Sequence, residues 1–354
     1  MDDSGAALLS ARGRWASRWP NPALDSFTAY RLDPYSKDRN PAGVVNLSTA
    51  DNKLLADLLG EKTPEVHDLL HYTVPSGSPQ AKSAVANFVR QYFKSETAIS
   101  PEHLCLVPGV ASAFDMLGSA LCEAGEVILC PSPFYHSIPN DFGTRALAKI
   151  VPVPMEESET GMGQLVSKRV HFQESFKRCV EEGENARAIL IVNPNNPTGS
   201  IMDKAALLDI LDFAKLYYSL LPDPDNTIWL WGASKDFCMP GIRFGVVHCR
   251  NKHLHRTLEE YEMLQPTTPV VQQAICRLLS DQDWLDNVYF PTNQKCLRES
   301  SQLTIDWFNE LGIPHCKGEG AFFLFCDLRM FMKGETWEDE EELHEAMKGV
   351  QALI

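Results

Sequence analysis

Between residues 80 and 270 short apolar runs alternate with longer stretches of helical periodicity, and this rhythm limits the chain to one class of fold. EVILC (126–130), RAILIV (187–192) and TIWLW (227–231) are rich in β-forming residues and bounded by Gly, Pro or Asn. Runs of that kind read as strands covered on both faces, the state of strands in a parallel sheet. Between them lie helical patterns. Val85, Phe88, Val89 and Tyr92 recur on one face of SAVANFVRQYF, and Leu207, Ile210, Leu211 and Ala214 on one face of a helix that Asp203 is placed to cap. A strand–helix–strand alternation predicts an α/β domain with a mostly parallel sheet. Its ligand site belongs beyond the carboxyl ends of the strands. From about residue 275 helical patterns take over (WLDNVYF, LTIDWFNEL), followed by one apolar strand, GAFFLFCDL (320–328), which suggests a smaller α+β region.

A chain of 354 residues, 44% hydrophobic and 22% charged, can build such cores. A formal charge of −15 argues against a nucleic-acid partner, which needs a cationic face. Part of that charge is the acidic helical run TWEDEEELHEAM (336–347), a solvated face. The sequence has no apolar run of about 20 residues, so no membrane span is expected. An early pair of acids without an apolar segment argues against a secretory signal. The ten cysteines include no CxxC pair and lie mostly in apolar stretches. They read as reduced core thiols of a cytoplasmic protein, with no metal site.

Three motifs carry chemistry. NPNNPTG (193–199) follows the RAILIV strand and makes a tight turn from which Asn196 can aim its amide at a ligand. PGVASAF (108–114) is a glycine-led entry to a helix whose free N–H groups suit an anion. GASKDFCMPGIRFG (232–245) sets Lys235 among small residues, with Arg243 eight residues on, just inside an expected returning strand, IRFGVVHC (242–249). A lysine whose amine is made nucleophilic captures an aldehyde, and an arginine fork suits a phosphate. Pyridoxal 5'-phosphate calls for these three features together.

With these motifs in place the chain resembles the class I/II aminotransferases, fold type I of the pyridoxal-phosphate enzymes. It is most similar to their 1-aminocyclopropane-1-carboxylate synthase-like branch. The resemblance runs through LSARGR, NPAGVVNLSTADNKL, YTVPSGSPQAKSAVANF, LCEAGEVILCPSPFY, NPNNPTG, LPDPD and SKDFCMPGIRFG, in that order. It implies a large cofactor-binding α/β domain over 51–270, an N-terminal arm and part of a small domain over 1–50, and an incomplete small domain over 271–354. The implied roles are specific. Lys235 carries the Schiff base and shuttles the proton at the substrate's α-carbon. Arg243 and the backbone N–H groups of Val110 and Ala111 hold the phosphate. Asn196 bonds the ring hydroxyl, and Tyr135 stacks on the pyridine. Tyr72 reaches the phosphate of a neighbouring subunit, so a homodimer with shared sites is implied. Ala50 and Asp51, with Tyr135 and Asn196, line the substrate. The implied activity is transamination, or the lyase reaction on S-adenosylmethionine, with α-amino acids as substrates.

The chain also departs from that family. An Asp-Glu-hydrophobe-Tyr stretch, whose aspartate keeps the ring nitrogen protonated, is expected on an extra strand between NPTG and the lysine. Here KLYYSLLPDPDN leads straight into TIWLW. The expected consequence is loss of a central strand, with unpaired backbone on its neighbours. Asp223 and Asp225 belong to the connector on the opening side of the next strand, away from the site. Residues 330–354 hold no arginine to grip a substrate carboxylate. Position 232 is Gly where many relatives carry a phosphate-binding serine, and Ala111 lacks the hydroxyl often found at its position. The alternative expectation is therefore an impaired pseudoenzyme, or a splice or gene-model variant. No GxGxxG follows a strand, which disfavours a Rossmann dehydrogenase.

Overall fold

The computed structural model describes residues 7–18, 28–45, 69, 72–93, 99–157, 165–217, 224–316, 318–334, 336 and 338–343. Among them are strands β1 (Leu104–Val107), β2 (Val127–Ser132), β3 (Lys149–Pro154), β4 (Glu156–Glu157), β5 (Leu165–Val166), β6 (Ala186–Ile189), β7 (Trp229–Gly232) and β8 (Gly245–His248). The helices that matter for the site are α1 (Ala11–Arg18), α2 (Pro79–Tyr92), α3 (Val110–Leu121), α4 (Ile138–Gly143), α5 (Arg169–Glu181), α6 (Lys204–Tyr217), α7 (Ala233–Asp236), α8 (Lys252–Glu262), α9 (Pro269–Ser280) and α10 (Phe290–Glu310).

The strands form two three-stranded sheets, ordered β1-β8-β7 and β3-β2-β6, and a small β4-β5 pair. In the second sheet both pairings are parallel, as expected. In the first, β8 runs antiparallel to both neighbours, so β1 and β7 still point the same way. Among the described residues no strand joins β6 to β7. The sheet is therefore divided at the place where the sequence lacks a strand.

Alternation of side chains decides which helices cover each face. Cys105 and Val107 of β1, Val247 next to them, and Ile128 and Cys130 of β2 point into one cluster with Ala113, Met116 and Leu117 of α3, helped by Ile138 and Leu254. This helical layer spans both sheets. On the opposite face the core separates. Leu104, Leu106, Val246 and Trp231 meet Val85, Phe88 and Val89 of α2 and Ile275 of α9. Val127, Leu129 and Val153 meet Phe172 and Cys179 of α5 and Ile210 and Phe213 of α6.

The expected helices form with the expected caps: Ser78 accepts from the Ala81 N–H ahead of α2, and Asp203 Oδ1 accepts from Ala206 N–H at 2.7 Å ahead of α6. Five of the ten cysteines are buried (Cys105, Cys122, Cys130, Cys179 and Cys249), and desolvation pushes the thiols of Cys122, Cys130 and Cys249 up to about 12. They are inert core residues.

One element differs from expectation. GAFFLFCDL forms no strand; residues 318–328 are bends with a single antiparallel bridge between His315 and Cys326, and Ala321 takes φ +70°. Strand propensity expresses itself only against a partner, and here the segment lies on the NPNNPTG turn instead. No described helix is long and apolar enough to cross a membrane.

Candidate active site

The first part of the site is an anion cup. Strand β1 is wholly buried and delivers Pro108 and Gly109 to the start of α3. Gly109 adopts φ +94°, and a Cβ there would lie 2.4 Å from an Arg243 guanidinium nitrogen. Only glycine fits that backbone under that side chain. Gly245, at the start of β8, is equally constrained: its Cβ would come within 2.8 Å of the Gly109 carbonyl carbon and 3.0 Å of the Val110 nitrogen. The N–H groups of Ser112 and Ala113 bond the Gly109 carbonyl at 3.1 and 3.3 Å, while those of Val110 and Ala111 have no partner among the described residues.

Arg243 sits in the turn before β8, at φ +55°, and not inside the strand as its spacing suggested. It donates to the Pro240 carbonyl at 3.1 Å and pairs with no carboxylate among the described residues. A guanidinium laid on the positive end of a twelve-residue helix concentrates positive potential, and that arrangement suits an anion such as phosphate.

Lys235 reaches the same corner. Strand β7 ends at Gly232, whose added Cβ would touch Val110 Cγ2 at 3.1 Å, and the one-turn helix α7 follows. A serine at 232 would therefore need the first residue of α3 to yield. Lys235 is exposed, and its Nζ stands 5.5 Å from the centre of the Phe322 ring.

The second part of the site belongs to the parallel sheet. In the NPNNPTG turn, Asn195 is the buried hub: its Oδ1 accepts from Thr198 N–H and Oγ1 at 3.2 and 2.8 Å, and its Nδ2 donates to the Pro133 carbonyl at 3.3 Å. That last bond ties the turn to the PSPFY loop after β2. Asn196 is half-buried and its amide has no hydrogen-bond partner among the described residues, so it remains available to a ligand. Tyr135 is exposed, edge-on to His136 at 4.8 Å.

Residues 318–322 join the two parts. The N–H groups of Glu319 and Gly320 both donate to the Gly199 carbonyl at 3.0 Å, and Phe322 then comes to lie beside Lys235. Neither Phe322 nor Asn195 was singled out from the sequence. The glycines of GEGAFF were the available signal for the first; Asn195 and Asn196 are chemically alike, and only the turn decides which one points inward. Tyr72 is 63% exposed. Ala50 and Asp51 lie outside the described residues.

The pyridine end is different. Asp225, before β7, forms an ion pair at 3.5 Å with Arg250, just after β8. Both lie at the end of these antiparallel strands opposite to Lys235, so Asp225 is no stand-in for a ring-nitrogen partner. Asp223 lies outside the described residues. The described residues fit the phosphate and aldehyde ends of the cofactor; they supply no carboxylate on a strand between β6 and β7.

Comparison with known proteins agrees with this picture. The family model for aminotransferase class I and II matches residues 42–223 and 217–351, in two pieces that meet at the connector before β7. The chain is 31% identical to the mouse (Mus musculus) 1-aminocyclopropane-1-carboxylate synthase-like protein 1 over 373 residues, covering 95% of this chain and 74% of the relative. An aligned span longer than the chain means that the relative carries internal segments lacking here. It is also 31% identical to the human (Homo sapiens) probable inactive 1-aminocyclopropane-1-carboxylate synthase-like protein 2, with 95% of this chain covered but only 65% of the relative. Among solved structures, the aspartate aminotransferase of Thermus thermophilus has the same fold, with a TM-score of 0.67 at 20% identity over 84% of this chain and 79% of that one. The chain belongs to the class I and II aminotransferase family, whose cofactor is pyridoxal 5'-phosphate and whose architecture is fold type I.

Proposed function

We infer that this chain binds pyridoxal 5'-phosphate and acts on α-amino acids, as an aminotransferase or as a lyase of the 1-aminocyclopropane-1-carboxylate synthase type. One observation carries the reading: the Arg243 guanidinium, paired with no carboxylate among the described residues, rests on Gly109 at the open end of α3, with the Lys235 turn packed against Val110. Arg243 and the N–H groups of Val110 and Ala111 would hold the phosphate, Asn196 the ring hydroxyl and Tyr135 the ring face. When bound, the cofactor withdraws electrons from the bonds at the substrate's α-carbon. Lys235 holds the aldehyde end and, once freed, moves the proton at that carbon through Nζ. Ala50 and Asp51 line the substrate position. Tyr72 serves the phosphate of a second copy, in a homodimer whose large domain spans 51–270 and whose small domain follows from 271.

The divided sheet favours a second reading, a catalytically impaired chain that keeps the phosphate cup but lacks the ring-nitrogen aspartate. The human relative's own name, probable inactive, is in line with it.

Titration with pyridoxal phosphate tests the common part. A visible absorption band should develop in the wild-type chain and be absent in Lys235→Ala, and Arg243→Ala should weaken binding about tenfold or more, as loss of a charge-assisted bond does. No band in the wild-type chain overturns the proposal. Exchange of the α-hydrogen of added amino acids in heavy water then separates the readings. Rapid exchange supports an active enzyme, and a loaded protein without exchange supports the impaired one.

A further inference from the structure

Lys235 stands on a helix of four residues, too short to hold its own direction, because a single turn fixes several dihedral angles for one hydrogen bond. Its aim must come from outside. The next residue is held twice: the Trp231 indole N–H donates to Asp236 Oδ2 at 2.7 Å, and the Tyr289 hydroxyl donates to the Asp236 carbonyl at 2.8 Å. Trp231 is buried, so its N–H needs this acceptor. Phe237 is then locked in an aromatic nest, stacked on Tyr289 at 5.3 Å and within 5.7 Å of Phe88. With 236 and 237 turned into that nest, the side chain at 235 is left pointing out, where Phe322 meets it.

We propose that Asp236, gripped by Trp231 and Tyr289, is the positioning residue that aims Lys235. The inference rests on the assignment of Lys235 as the aldehyde-binding amine and adds a device to it. One anchor, Trp231, belongs to β7. The other, Tyr289, comes from the helical region that follows residue 270, so a displacement of that region is felt at the lysine. Misplacement by about an ångström is enough to spoil a reacting geometry. Asp236 touches neither substrate nor cofactor; it acts only through its neighbour.

The test uses the full chain with Asp236→Ala, Asp236→Asn and Tyr289→Phe. Asp236→Ala leaves the buried Trp231 N–H without its acceptor and should lower the thermal melt by a few degrees, whereas Asp236→Asn should melt like wild type. Each protein is treated with pyridoxal phosphate and borohydride, and peptide mapping gives the share of label on Lys235 against all other lysines. Asp236→Ala should lower that share about tenfold. Asp236→Asn should restore it, because the amide oxygen still accepts the indole N–H. Tyr289→Phe should give a smaller loss. A wild-type share in Asp236→Ala, or no rescue by Asp236→Asn, overturns the proposal. Amide hydrogen exchange over residues 233–237 without cofactor keeps the two levels apart: it should quicken at least tenfold in Asp236→Ala, and unchanged exchange also overturns the clamp. Quickened exchange in Asp236→Ala, with the wild-type label found elsewhere, would leave the clamp intact and remove the lysine assignment.

Discussion

The two three-stranded sheets differ at their outer edges, buried at β1 and exposed at β3, yet both lose cover where they meet. In the first, β1 and nearly all of β8 are fully buried, and even the outer edge is covered, since Leu106 N–H donates to the Ser76 carbonyl at 3.0 Å. In the second, β2 is buried along all but its last residue. The strands that face the division are only half-covered: Arg187, Ala188 and Ile189 of β6, and Trp229, Leu230 and Gly232 of β7. The seam strands are thus less covered than β1 and β2, although the outer strand β3 is more exposed still, with only Val153 buried. The shared layer of α3 keeps the halves together on one face, while the other face breaks into two clusters. On the proposed reading, the comparison teaches that the phosphate cup and ring-nitrogen support are separable parts of this fold. The first needs only β1, β8, β7 and α3. The second needs a strand in the seam.

The sharpest way to break that comparison is to truncate one residue on each side of it. Leu106→Ala should cost about 3–4 kcal/mol by urea unfolding, the range for a fully buried leucine, and Ile189→Ala roughly 1–2 kcal/mol. Equal costs would mean that the seam is as well covered as the interior.

The next effect sharpens the account of the antiparallel half. Glu262 on α8 is fully buried, and neither carboxylate oxygen has a hydrogen-bond partner among the described residues. Desolvation pushes its carboxyl from 4.5 up to about 9, with Lys82 offsetting part of this. The folded chain thus carries a proton that the unfolded chain has lost between those values. Stability from this group is full below about pH 4.5 and declines as pH rises towards 9. Glu262→Gln should stabilise by roughly 3 kcal/mol at pH 7 and by nothing at pH 4. Identical pH profiles for the two proteins would remove the assignment.

A smaller effect separates the glycines of the two halves. Gly245→Ala forces β8 away from Gly109 and Val110, and should cost about 1–3 kcal/mol and abolish phosphate binding by calorimetry. Gly183→Ala, in the parallel half, meets nothing within 4 Å and carries only the strain of φ +73°. It should cost about 1 kcal/mol and leave phosphate binding unchanged. The smallest change is expected at the exposed Lys177–Glu181 pair on α5, where Glu181→Gln should move stability by less than about 0.5 kcal/mol.

Much of this was legible in the chain. The alternation of apolar runs and helical faces placed α2, α6, β2, β6 and β7, because each of these elements buries one side of a local pattern. The missing Asp-bearing strand was legible as well, since NPNNPTG and TIWLW leave room for only one helix and a connector. Other features depend on contacts remote in sequence. GAFFLFCDL has strand propensity and no strand to pair with, so it became a bent segment across Gly199. Arg243 was expected in a strand from residue 242 and lies in a left-handed turn, because the close approach of Gly245 to Gly109 starts β8 three residues later.

What the sequence by itself determined is the α/β class, the family, and the chemical kinds of residue available: one lysine among small neighbours, an arginine after it, a glycine-led helix and an asparagine turn. These follow from local periodicity, turn chemistry and motif order, all of which act over a few residues. Only the tertiary structure decided that Arg243 lies on Gly109, that Phe322 stands beside Lys235, that Asp236 is anchored to Trp231 and Tyr289, and that the sheet divides between β6 and β7. Those facts depend on which buried polar atoms find partners and which backbones pack without a Cβ between them. Such choices are made only when the whole core closes.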